Sequence, residues 1–179
     1  MKAKTKVASK AKSVTKAKPV TTVKAKPKTT AKPKAKPASP PKGAKSGELG
    51  TKDNPWQLKT PSGTSEYQMY RDPAAEPPAL VCKVGSTELR YRLRCLEDLH
   101  AMLKAHGDWM LLGSADEQKP AADSTVEAWA RSPQNPVGGW YGLKKGLRGR
   151  FGMYVPPLME VLKLAEVEHN AKNNRMRAL

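Results

Sequence analysis

Arginine, acid and aromatic side chains are all missing from the first 45 residues of this 179-residue chain. Other shortages cover its whole length. Two cysteines, Cys82 and Cys95, do not build a disulfide framework, which points to a reducing compartment. No apolar run approaches the roughly 20 residues that a membrane span needs, so no membrane partner is expected. The N-terminus has charge but no apolar core of secretory type. It also lacks the arginines of a mitochondrial transit peptide, so no targeting segment is expected.

What the first 45 residues do contain is lysine: Lys2, Lys4, Lys6, Lys10, Lys12, Lys16, Lys18, Lys24, Lys26, Lys28, Lys32, Lys34, Lys36, Lys42 and Lys45. These 15 come from a total of 33 basic residues, and the first acid is Glu48. The remaining 18 basic groups face all 16 acids, so 15 of the 17 net positive charges belong to this one segment. Prolines at 19, 27, 33, 37, 40 and 41 block a continuous helix and favour extended chain. With little apolar area to bury, residues 1–47 are expected to be disordered. Lysine carries a point charge without fixed geometry, which suits phosphate neutralisation and counterion release. The KAK, KAKP and KPK units resemble the tails of linker histones and of lysine- and alanine-rich histone-like bacterial proteins. That resemblance is compositional and covers residues 1–45.

Residues 48–179 are long enough for one domain with an ordinary core. Asn54–Lys59 and Glu66–Tyr70 are expected as short strands separated by the turn Pro61-Ser62-Gly63. After a proline-rich loop, residues 79–84 and 87–94 are expected as a hairpin over Gly85-Ser86, a suitable type II′ pair. In its second strand Leu89, Tyr91 and Leu93 alternate with Arg90, Arg92 and Arg94. The arginines then share a face about 7 Å apart, with cross-strand partners such as Glu66 expected. Residues 96–106 have helical periodicity, with Leu96, Leu99, Met102 and Leu103 on the apolar stripe. Glu97 and Asp98 suit the N-terminal dipole and Gly107 the C-terminal cap. Cys82, Cys95, His100 and His106 show no CxxC spacing, and no metal is expected.

Residues 114–123 are polar, and Asp108, Asp116 and Glu117 are expected to be solvated loop acids. Ser124-Thr125-Val126-Glu127 has the form of a capping box opening a short helix to about Arg131. From Gly138 onward eight basic groups face three acids, whereas residues 46–137 hold 10 against 13. Gly-rich residues 138–154 match neither the P-loop nor the dinucleotide fingerprint. We expect a helix over about Gly139–Leu147, a glycine-punctuated turn over Arg148–Val155, and a second helix starting at Pro156-Pro157. Trp140 and Phe151 are expected in the core rather than as base-stacking platforms. Residues 164–169 and 175–179 then make a basic hairpin. The order helix, helix, turn, helix, hairpin is that of a winged helix-turn-helix, and MEVLKLAEVEHNAKNNRMRAL resembles the ending of MarR-type regulators.

The segments GTKDNPW, YQMYRD, DLHAMLKAHGDWMLLGSADEQKP, EAWARSPQNPVGGWYGLKKGLRGRFGMYVPPLMEVLKLAEVEHN and NNRMRA resemble a family of small uncharacterised bacterial proteins across about residues 48–179. The resemblance implies a self-sufficient domain and brings no catalytic residue or cofactor. The expected fold is α+β: antiparallel strands and a helix over 48–112, then a helical, winged-helix-like part with a C-terminal hairpin over 123–179. The expected function is non-enzymatic nucleic-acid binding, DNA ahead of RNA, in a cytoplasmic, nucleoid-associated setting. A protein-interaction module localised by its tail, or an enzyme acting on nucleic acid, are the alternatives. The domain residues expected to carry binding are Lys144, Lys145, Arg148, Arg150, Lys172, Arg175 and Arg177. No triad, paired catalytic carboxylates, metal or cofactor is expected.

Overall fold

Four strands come first and pair in the order in which they occur: β1 (Trp56–Lys59), β2 (Glu66–Asp72), β3 (Ala79–Val84) and β4 (Thr87–Arg92), all antiparallel. The computed structural model describes residues 48–179; the expected disordered tail over 1–47 lies outside the described residues. The register Leu58↔Tyr67, Met69↔Cys82 and Cys82↔Leu89 puts these side chains, with Trp56, Leu80 and Tyr91, on one buried face. Period-2 alternation predicts this face, and the core forms on it. The opposite face carries a second small cluster of Tyr70, Ala79 and Val81, against which Ala75 and Leu143 pack. The hairpin joining β3 and β4 turns at Gly85, whose φ of 56° is positive while that of Ser86 is not, as a type II′ turn requires.

The arginine row is present, and two of its three members, Arg90 and Arg94, are ion-paired. Arg90 pairs with Glu88 at 2.9 Å and with Asp72 at 3.5 Å, and Arg94 folds onto Asp98 at 2.7 Å. Glu66, expected to meet these arginines, pairs with Lys59 instead. Helix α1 (Cys95–His106) follows the expected stripe, burying Cys95, Leu96, Leu99 and Leu103. Gly107 closes it in the left-handed conformation (φ 74°), its N–H donating to the carbonyl of Leu103.

A second, three-stranded sheet has the order β5-β7-β6: β5 (Met110–Leu111), β6 (Ala165–Val167) and β7 (Arg175–Ala178). The C-terminal hairpin is therefore formed as expected, but β5 adds a strand that the residues 110–111 do not announce. Between β5 and β6 in the chain lie α2 (Val126–Trp129), a single turn, and α3 (Phe151–Val161). Thr125, not Ser124, caps α2, its hydroxyl accepting from the Ala128 amide at 3.1 Å.

The expected helix over 139–147 does not form. Gly138, Gly139 and Gly146 have positive φ, which a right-handed helix cannot hold. The backbone at 141–143 bonds to β4 instead: Leu143 donates to the Arg90 carbonyl at 2.8 Å, and the Tyr141 carbonyl accepts from Arg92 at 2.9 Å. The loop thus covers an otherwise open sheet edge. The expected turn over 148–155 is corrected too, because α3 begins at Phe151 and Pro156 and Pro157 fall at its sixth and seventh positions. Capping decides this start: the Glu127 carboxylate accepts from the Gly152 amide at 2.8 Å, in the first turn of α3. The fold is α+β, with the middle helix of the winged-helix order absent.

Candidate nucleic-acid interface

Two of the basic residues after Gly138, Arg148 and Arg150, join a network whose centre is a residue that the sequence presents as a surface cap. Glu127 is completely buried. One carboxylate oxygen holds the first turn of α3, and the other accepts from Arg131 Nε at 2.8 Å and from its terminal nitrogen. Burial pushes this carboxyl up from its usual range, while the Gly152 amide and Arg131 draw it back. Arg131 also donates to the carbonyls of Asp116 at 3.2 Å, Lys119 at 2.8 Å and Ala115. All five N–H groups of its guanidinium are accounted for. The capping-box pattern signals a helix start here, but the acid belongs to a different helix, 25 residues further on.

The Arg131 clamp fixes the 115–119 strand of loop, and that loop brings acids to two of the expected binding residues. Glu117 takes the Arg148 side chain at 2.9 and 2.5 Å and its amide at 3.0 Å. These bonds hold the Glu117 carboxyl down at about 2. Asp116 pairs with Arg150, which lowers the Asp116 carboxyl as well. Asp116 and Glu117 were expected as solvated loop acids; they are instead structural partners. Trp140, expected in the core, is half-exposed, with the guanidiniums of Arg131 and Arg148 lying 4.6 and 4.8 Å from its ring centre. Phe151 is buried as expected, and Tyr141 fills the neighbouring core position, its hydroxyl donating to Asp98 at 2.8 Å. Close backbone packing requires glycine at 152, where a Cβ would stand 2.2 Å from the Leu112 carbonyl oxygen.

On the C-terminal hairpin the same pairing recurs at short range. Arg175 meets Glu168 and Arg177 meets Glu166, each at 2.6 Å, and Glu168 is held below its ordinary carboxylate range by Arg175. Both guanidiniums lie over Trp109, at 5.5 and 4.8 Å. His169 ties the end of β6 to two other elements, contacting the Pro61 carbonyl at 3.1 Å and Glu160 at 2.9 Å.

Seven of the nine arginines among the described residues are ion-paired, against one lysine of nine, Lys59. Lys144, Lys145 and Lys172 are exposed and make no ion pair among the described residues. Lys144, Lys145, Arg148 and Arg150 lie on the one loop between α2 and α3; Lys172, Arg175 and Arg177 sit on the separate hairpin. Glu127 and Arg131 were missed as network residues, though their i, i+4 spacing is a helical ion-pair signal. The tail lysines lie outside the described residues. Among the described residues no three His, Cys, Asp or Glu side chains gather as metal ligands, and Cys82 and Cys95 are free and buried. No helix among them is long and apolar enough to cross a membrane.

A family model described as a family of unknown function, DUF6855, matches residues 48–179. No curated protein and no solved structure matches the chain.

Proposed function

The chain belongs to this family of unknown function, and we propose that it is a non-enzymatic nucleic-acid-binding protein, DNA ahead of RNA, held mainly by its lysine-rich N-terminal segment. The observation that carries this reading is the distribution of charge: 15 lysines precede the first acid, while the rest of the chain has 18 basic groups for 16 acids. The internal pairing of Arg148, Arg150, Arg175 and Arg177 supports it further, because it leaves the tail as the main store of uncompensated charge. Lysines without partners release counterions from a nucleic acid, so affinity falls steeply with salt and depends little on sequence.

The test is a salt titration of DNA and RNA binding by the full-length chain and by a variant with the 15 tail lysines changed to glutamine. The expected result is a steep log–log salt slope that collapses in the variant. An equal slope in both chains would overturn the reading. A second reading, a protein-interaction body localised by its tail, is favoured by Leu111, which is 45% exposed on the small sheet. In that case a Leu111→Asp change would abolish partner capture and leave DNA retention unchanged.

A further inference from the structure

Most of the charges that the domain leaves without an ion pair are lysines, and three of them are chain neighbours of residues that line one cleft built from two distant segments. Lys119 lies in the loop clamped by Arg131; its carbonyl accepts from that guanidinium at 2.8 Å while its side chain is exposed. Lys144 and Lys145 lie in a turn closed by the Leu147 amide on the Lys144 carbonyl at 2.9 Å and anchored to β4 through Leu143. Glu117 joins the two segments, taking the Arg148 amide and side chain from one while standing two residues from Lys119 in the other. Gln118 and Gly146 accordingly line the same surface cleft, of about 310 Å³.

Across residues 115–119 and 144–150 there are five basic groups and two acids, and both acids are taken by Arg148 and Arg150. Asp72 and Glu88, on the neighbouring strands, are likewise taken by Arg90. Three lysines without an ion pair therefore remain on these two segments.

We propose that Lys119, Lys144 and Lys145 form a second polyanion contact on the folded domain, one that meets the phosphates of duplex DNA and does not read its bases. This rests on the nucleic-acid reading above and goes beyond it by assigning the domain its own surface. The commonest base contact is a bidentate guanidinium on guanine, and single strands are read by stacking on open aromatic faces. Here the Arg148 and Arg150 side chains are bound to acids, and Trp140 has Arg131 and Arg148 over its ring. Lysine side chains act as point charges and follow phosphate wherever it lies.

The experiment uses the full chain, two DNA duplexes of unrelated sequence, and the triple variant K119Q/K144Q/K145Q. The log–log salt slope is expected to fall by about 2–3, one for each lysine removed, and by the same amount on both duplexes. The charge-keeping triple K119R/K144R/K145R should retain the original slope, and the unfolding midpoint should be unchanged in both. An unchanged slope in the glutamine variant would overturn the proposal, and so would a loss confined to one duplex. If the unaltered chain fails to bind at all, the nucleic-acid reading falls with it. An unchanged slope in a chain that does bind removes only the lysine contact.

Discussion

Residues 1–45 carry 15 lysines with no acid, and residues 46–179 carry 18 basic groups with 16 acids. The two regions hold similar amounts of positive charge and dispose of it in opposite ways. In the folded domain half of the basic groups are arginine, and seven of those nine arginines are consumed in ion pairs. Arg131 spends five donors on a buried carboxylate and three carbonyls, and Arg148 closes a three-bond grip on Glu117. A planar guanidinium is suited to that role because its donors are fixed in a fork that matches carboxylate and carbonyl oxygens. Lysine, a compact and strongly hydrated charge, is left on the surface and in the tail. The difference teaches that counting basic residues overstates a binding surface when those residues are arginines with acids within reach.

The largest effect that would sharpen this contrast is on the tail. If six to ten of its lysines engage phosphate, DNA affinity should fall by about 10³–10⁵ between 50 and 200 mM salt. Replacing all tail lysines should remove that dependence without moving the unfolding midpoint of the domain, as followed by circular dichroism.

The domain's side of the comparison breaks at Arg131. Arg131→Ala leaves Glu127 buried without its cation and should cost about 3–5 kcal/mol in denaturant unfolding. Arg131→Lys keeps the charge but offers three donors in place of five, so it should recover less than half of the loss. Full recovery by lysine would show that charge, not fork geometry, is what the site uses.

A smaller effect is expected in acid. The Glu117 carboxyl is held at about 2 by Arg148, below its ordinary 4.5. A depressed acid stabilises the fold above its unfolded value and loses that contribution as pH falls. Stability should therefore drop between about 4.5 and about 2, and Glu117→Gln should flatten that part of the pH–stability curve. The smallest effect is on the hairpin, where Arg177 and Glu166 are both close to half exposed. Arg177→Lys should change stability by less than about 1 kcal/mol. A cost as large as that at Arg131 would mean that exposure does not separate the two kinds of pair.

Much of the fold was legible from local pattern. The strands of the first sheet, the hairpin at Gly85-Ser86, α1 with its Gly107 cap and the C-terminal hairpin all follow from alternation, periodicity and turn residues. The stretch 138–157 was misread because its determinants are not local. Leu143 and Tyr141 bond to β4, and the start of α3 is set by Glu127, which lies before the glycines and prolines that suggested other boundaries. Trp140 was expected in the core, and only the two arginines packed over it explain why a tryptophan is tolerated half-exposed. Strand β5 is two residues long and carries no signal of its own; it exists because β7 presents an edge beside it.

The sequence by itself determined the charge of the tail, because 15 lysines with no neighbouring acid remain a polycation in any conformation. It also determined the α+β class, since period and turn chemistry act over a few residues. Only the tertiary structure decided which positive charges in the domain are free. The acids that occupy Arg148 and Arg150 lie 31 and 34 residues away, so the chain must fold before they meet.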